Sequence, residues 1–218
     1  MIFNAHSELE GRHAILSPSK PYWLNYDDDA LMRSYISSYA TDVGTLVHEY
    51  ACDRIRFRMP IDIENEGASS EAKNGLLMHL MRNGIPFRVI DLDRIFNNLV
   101  PYVDDGIGYK METEVKLKYS ELCFGTADAI GVRRNQLRIH DLKTGTAPAH
   151  MDQLLIYAAL FFLEYKRDYR PDTMKIELRI YQNQDIIVHQ PTTDEIKSTM
   201  NEIVRKEKVL SQRTMEVR

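Results

Sequence analysis

The chain has 218 residues, 44% of them hydrophobic and 28% charged, which is enough for one ordinary domain and excludes a disordered or fibrous chain. Its net charge of −4 is concentrated at the front: residues 1–66 carry −5, residues 67–163 carry zero and residues 164–218 carry +1. No global basic field announces nucleic acid, although a local basic groove is enough to steer a polyanion. The two cysteines, Cys52 and Cys123, exclude a four-thiolate zinc or iron–sulfur site within one chain and read as free thiols. The N-terminus lacks a basic segment followed by an apolar one, and the most apolar stretch, Leu154–Leu163, is about half a membrane span. The expectation is a cytoplasmic protein with no membrane association.

In chain order, the first 29 residues are polar and turn-rich and end in Asp27-Asp28-Asp29, a favourable helix start. Apolar residues at helical spacing then predict helices over about 28–40 and 42–58, with Thr41 or Asp42 capping the second. Residues 64–70 read as a loop and 71–82 as a helix closed by Asn83-Gly84. A short helix over 91–99 precedes Pro101, and Asp104-Asp105-Gly106 reads as a turn. From residue 108 the period changes. Residues 112–119 alternate, which predicts a strand, and 122–132 and 137–143 predict two more. An apolar helix over about 149–165 follows. Two strands, 174–182 and 185–190, flank the turn Asn183-Gln184, and an amphipathic helix runs from 193 to about 212. Three strands, a helix, two strands and a helix describe an α/β or α+β sheet with a crossover helix packed on it.

The chemistry concentrates in two short stretches, Gly125-Thr126-Ala127-Asp128 and Asp141-Leu142-Lys143-Thr144-Gly145. Residues two apart in a strand face the same side, so Asp141 and Lys143 project together, and a neighbouring strand can bring Asp128 beside them. Two carboxylates and an ammonium suit metal-assisted phosphodiester hydrolysis: hard oxygens hold Mg²⁺ or Mn²⁺, and the lysine stabilises charge developing on the phosphate. Asp-x-Lys alone is common. Here it follows the mostly apolar run Leu137–His140, and a charged pair at the end of a largely buried strand calls for a purpose.

With Gly44-Thr45-Leu46-Val47-His48-Glu49, Glu114 and Gln153-Leu154-Leu155-Ile156-Tyr157, these stretches form an ordered series over residues 44–157. The series resembles the PD-(D/E)xK nuclease superfamily, in its RecB-like and phage-type exonuclease branch. The resemblance implies a restriction-endonuclease-like core with a central mixed sheet flanked by helices and an N-terminal helical elaboration. It implies a single nuclease domain over 1–218: a mainly helical part over 1–107, a catalytic sheet over 108–190 and a C-terminal helix over 191–218. By position, His48, Asp128, Asp141 and the main-chain carbonyl of Leu142 correspond to the ligands of Mg²⁺ or Mn²⁺. Lys143 corresponds to the catalytic lysine and Glu114 to an acidic residue that binds or orients the metal, with Glu112 competing for that role. Gln153 and Tyr157 share a helix face, which in the family touches the active site and the DNA backbone. Members with an iron–sulfur cluster hold it with four cysteines, so the comparison is to cluster-free phage exonucleases. The implied activity is that of a deoxyribonuclease, more an exonuclease than an endonuclease, acting on linear single- or double-stranded DNA. The implied setting is phage or mobile-element recombination beside a recombinase or annealing protein, with a homo-oligomer possible. Two alternatives stay open: a nuclease-fold DNA-binding, inhibitor or adaptor protein, and a nuclease subunit active only with a partner helicase or recombinase.

Other features read both ways. Ser17-Pro18-Ser19-Lys20 and Trp23 look like the branch's entry segment, and Tyr22 and Trp23 either stack on an unpaired base or pack onto the core. Arg54, Arg56 and Arg58, and Arg133 with Arg134, are candidate phosphate contacts or solvated surface. His48 taken alone reads as a core histidine. His6, His13, His79, His140, His150 and His189 have no paired metal spacing, His140 facing away from Asp141, and Glu49 reads as a surface charge.

Overall fold

The computed structural model describes residues 14, 16–19 and 21–215, with side chains to residue 212. Lys20, His6 and His13 therefore lie outside the described residues. After a 3-10 turn at Pro21–Asn25 come helices α1 (Asp28–Ser38), α2 (Ala40–Arg56), α3 (Glu66–Arg82) and α4 (Leu92–Gly108). Strands β1 (Glu112–Ser120), β2 (Cys123–Arg133) and β3 (Gln136–Leu142) follow, then α5 (Asp152–Glu164), β4 (Lys175–Gln182), β5 (Asp185–His189) and α6 (Thr193–Met215). The order expected from the sequence is therefore the order found.

The strands form one mixed sheet in the order β1-β2-β3-β4-β5. Each pair is antiparallel except β3–β4, which is parallel and needs a crossover; α5 supplies it. The chain is thus α/β, with helices on both faces. Two cores result. One joins α2, α3 and α4 to the sheet through Val47, Leu76, Leu80, Leu99 and Tyr102; the other joins α5 and α6 through Leu137, Ile139, Leu154, Phe162 and Ile196. Each such side chain contributes about 1.5–3 kcal/mol on burial. The edge strand β1 alternates as its sequence alternates, whereas central β4 is buried along nearly its whole length.

Several boundaries differ from expectation for local reasons. α2 has no side-chain cap from Thr41 or Asp42, because Tyr39 closes α1 and opens α2 in helical geometry. α3 starts earlier, at Glu66, where Asn65 accepts from the Ala68 N–H. α4 does not stop at Pro101, and Asp104-Asp105-Gly106 is helix, not turn. Pro101 removes one bond to the carbonyl of Asn97, which is exposed and can turn to water. Burial of Ile95, Phe96, Leu99, Tyr102 and Val103 holds the helix together across it. Gly106 lies where a Cβ would stand 2.6 Å from Ile55 Cδ1, so it lets α4 pack closely on α2. α5 starts at Asp152 rather than Ala149, since residues 143–149 are pinned as a loop. α6 opens on a capping box in which Thr192 and Glu195 satisfy each other's backbone N–H. No helix among the described residues is long and apolar enough to cross a membrane.

Candidate active site

The two faces of the fold leave a cleft of about 670 Å³ between α2 and the sheet. α2 supplies one wall through residues at helical spacing: Gly44, Thr45, His48, Cys52 and Arg56. β1, β2 and β3 supply Glu114, Asp128 and Asp141, Lys143 is the first residue after β3, and α5 supplies Gln153. Six residues singled out in sequence, from five different elements, therefore share one cleft.

Strand register sets the centre. Ala129 faces His140 across the β2–β3 ladder, and the next step of the same register brings Asp128 opposite Asp141. The Asp141 side chain is 3% exposed; its Oδ1 accepts from Lys143 Nζ at 2.9 Å. Lys143 Nζ also donates to Gln153 Oε1 at 3.0 Å, so the ammonium is held between β3 and α5. Asp128 is 17% exposed, and its Oδ2 lies 3.3 Å from His48 Nδ1. That approach is close but does not form a hydrogen bond. Asp128 Oδ2 and Asp141 Oδ2 are both buried without a donor, an arrangement that costs free energy unless something positive completes it. Burial pushes the Asp128 carboxyl up to about 6; the His48 and Lys143 charges oppose the rise and Asp141 adds to it.

Leu142 itself is core, fully buried. Its carbonyl direction follows from the next peptide group: Lys143 N–H donates to Tyr181 O on β4, so in a planar trans peptide the Leu142 C=O points the opposite way, toward β2 and Asp128. Glu114 is exposed and has φ 55°, a left-handed conformation uncommon for glutamate, at the one step missing between the pairs Thr113↔Ala129 and Val115↔Ala127. Cys52 donates to Glu114 Oε1 at 3.7 Å. Burial, reinforced by the Glu114 charge, pushes the Cys52 thiol up to about 12, so it is not a nucleophile near neutral pH.

No group of three or more His, Cys, Asp or Glu side chains among the described residues is placed to hold a metal ion as the side chains stand. What the cleft offers is open: two carboxylate oxygens without a hydrogen-bond donor and an adjacent imidazole. That donor set fits Mg²⁺ or Mn²⁺, which bind through one or two carboxylates and keep several waters.

Around this centre Gln153 Nε2 approaches Tyr157 OH at 3.5 Å, and the Tyr157 ring fills the space where a Gly125 Cβ would stand 2.9 Å from its Cε1. The loop after Lys143 is fixed from both sides. Arg94 donates to Thr144 O at 2.5 Å, Asn98 to Lys143 O at 3.3 Å, and Gln182 to Gly145 O and Ala147 O at 2.8 Å each. Gln182 Oε1 in turn accepts from Ala149 N–H at 3.1 Å.

Other candidates lie elsewhere. Arg133 and Arg134 sit at the β2–β3 turn, about 17 Å of strand from Asp128 at ~3.3 Å per residue, and do not line the cleft. Ser19 bonds Ser17, and Trp23 Nε1 donates to Ser17 O at 3.0 Å, so the described part of the entry segment holds itself locally outside the cleft. Arg54 is occupied by the Met59 and Pro60 carbonyls. Glu49 is exposed, as its surface reading expected, and together with His79, 3.8 Å away, it also lines the cleft. Nothing in the sequence paired His79, on α3, with α2. Asn98 and Gln182 likewise carried no motif signal; their role exists only where α4 and β4 meet the loop.

Fold and cleft together define an α/β protein with a carboxylate–lysine centre on a mixed five-stranded sheet. No protein-family model matches the chain, and no curated protein matches it.

Proposed function

We propose that the protein is a metal-dependent deoxyribonuclease of the PD-(D/E)xK type, acting as an exonuclease on linear DNA. The observation that carries the reading is the pair of buried, donor-free oxygens on Asp128 and Asp141, beside a lysine tethered at 2.9 Å to one of them. Two buried carboxylate oxygens without donors are costly in a resting protein, and a divalent cation would remove that cost. The mixed sheet, the His48 helix against it and the Gln153–Tyr157 helix face also suit this type.

In the proposed reaction Asp128, Asp141, His48 and the Leu142 carbonyl would hold Mg²⁺ or Mn²⁺, which would supply Lewis acidity toward the phosphoryl group and a more acidic water. Asp141 and Gln153 fix the Lys143 ammonium so that it faces the cleft and stabilises negative charge growing on the phosphoryl oxygens. Glu114, exposed at the cleft rim, orients water. Gln153 and Tyr157 contact the backbone of the strand being cut. A role in phage or mobile-element recombination, beside a recombinase or annealing protein, rests on the motif resemblance alone.

The test is incubation of the purified protein with end-labelled linear DNA and covalently closed circles, in Mg²⁺, in Mn²⁺ and in chelator. Loss of linear DNA with survival of circles, only with metal, supports the exonuclease. Cutting of circles replaces it with an endonuclease, and inert protein in both metals removes the catalytic reading.

A further inference from the structure

The C-terminal ends of α2 and α4 meet β1 around a second cleft, of about 360 Å³. Its charged lining is Arg56, Arg58 and Lys110 against the single carboxylate Glu112. Arg56 lines both this cleft and the first. The two differ in sign: in the first, Glu49, Asp53, Glu114, Asp128 and Asp141 outnumber Arg56 and Lys143. An acidic cleft suited to a cation thus opens, past one shared arginine, onto a basic cleft suited to an anion.

Two further observations set the cations apart from ordinary surface charge. Arg58 and Lys110 have no carboxylate within ion-pairing distance among the described residues; Arg56 has only Asp53, at 3.7 Å, with both side chains more than half exposed. Arg58 and Lys110 also have φ of 53° and 54°, each one residue past its helix's C-cap. That left-handed position ordinarily takes glycine, which adopts it without strain. A cation at a helix C-terminus is favoured by the helix dipole, which accounts for the sign of the charge but not for two strained positions converging on one cleft.

Along α2, Arg56 lies eight residues beyond His48, about 12 Å at ~1.5 Å per residue. At ~3.4 Å per nucleotide step this is roughly three to four nucleotides.

We propose, on the basis of the nuclease reading, that the second cleft anchors the phosphate backbone of a polynucleotide about three to four nucleotides from the bond cut, through Arg56, Arg58 and Lys110. Arg54 and the Arg133–Arg134 turn take no part. The anchor makes the enzyme prefer chains long enough to reach it.

The test compares wild type, the neutral pair Arg58→Asn with Lys110→Asn, and the charge-keeping pair Arg58→Lys with Lys110→Arg. Asparagine tolerates the left-handed backbone, so the neutral pair keeps the fold. The substrates are a linear 30-nucleotide DNA and thymidine 5′-p-nitrophenyl phosphate, which is too short to reach the second cleft, both in Mn²⁺. For the neutral pair, kcat/KM on the 30-mer falls about tenfold relative to that on the thymidine ester. The slope of log KM for DNA against log salt falls by about 1.4–1.8, the loss of two phosphate contacts. The charge-keeping pair stays near wild type on both measures. An equal fall on both substrates in a neutral pair that melts like wild type overturns the proposal. Wild-type cleavage of DNA with an unchanged ratio and slope in the neutral pair overturns the anchor while leaving the nuclease reading in place. Wild type that cuts neither substrate overturns both.

Discussion

Replacing Asp128 by Asn removes a charge the metal-free fold holds at a cost. Burial raises the Asp128 carboxyl from 3.8 to about 6, roughly two units at ~1.36 kcal/mol each, or about 3 kcal/mol. The sign follows from proton binding. Between pH 4 and 6 the folded carboxyl holds a proton that the unfolded chain has released, so folding stability falls as pH rises through that window and then levels off. Asparagine has the same shape and no charge to desolvate. In chelator, Asp128→Asn should therefore match wild type near pH 4 and exceed it by about 2–3 kcal/mol at pH 8. Urea unfolding of both proteins across that range measures the difference, and taking the difference cancels the titrating groups that do not interact with Asp128. Adding Mn²⁺ at pH 8 should stabilise wild type and leave the variant nearly unmoved. A variant that is less stable at pH 8 than at pH 4 relative to wild type would refute the claim that the buried charge is uncompensated.

Three further outcomes follow from the same geometry. Lys143→Ala should lower metal-dependent DNA cleavage by 10²–10⁴-fold while Mn²⁺ binding, measured by calorimetry, persists, since the Asp128 and Asp141 oxygens offered to the metal are not those bonded to Lys143. Gln182→Leu leaves the Gly145 and Ala147 carbonyls and the Ala149 N–H without their partner; it should cost about 2–4 kcal/mol in urea unfolding, and amide exchange should accelerate first at Ala149. The His140 imidazole is driven down to about 3 by burial and by the Arg179 and Arg138 charges. It is depressed relative to the unfolded chain, so its contribution is complete above about pH 6.5 and is lost as pH falls toward 3. NMR titration should find it neutral at pH 5, and a protonated imidazole there would contradict the burial argument.

How much of this was legible in the sequence depends on the range of the forces involved. β1 was readable because its period-2 pattern matches a half-buried edge strand, and Asp128, Asp141 and Lys143 were readable because strand alternation fixes which side chains share a face. α4 was misjudged at Pro101 and Asp104-Asp105-Gly106, where local turn chemistry lost to a long apolar face and to Gly106 packing under Ile55. In that helix Asp104 accepts from the Ile61 N–H and Asp105 pairs with Arg179, roles that no local pattern encodes. His79 in the cleft, Gln182 behind the lysine loop and Lys110 beside Arg58 arise where distant elements meet. Arg133 and Arg134 show the converse: adjacent in sequence to the strands that carry Asp128 and Asp141, they stand at the far end of them from the cleft.

The most direct test of the account is the anomalous diffraction of a crystal grown in Mn²⁺. The expected result is a manganese peak within bonding distance of Asp128 and Asp141, with His48 or the Leu142 carbonyl completing the protein ligands and Lys143 close by but unbound. A well-ordered cleft with no manganese, or a peak held by other residues, would contradict the claim that the two buried carboxylates are a metal centre.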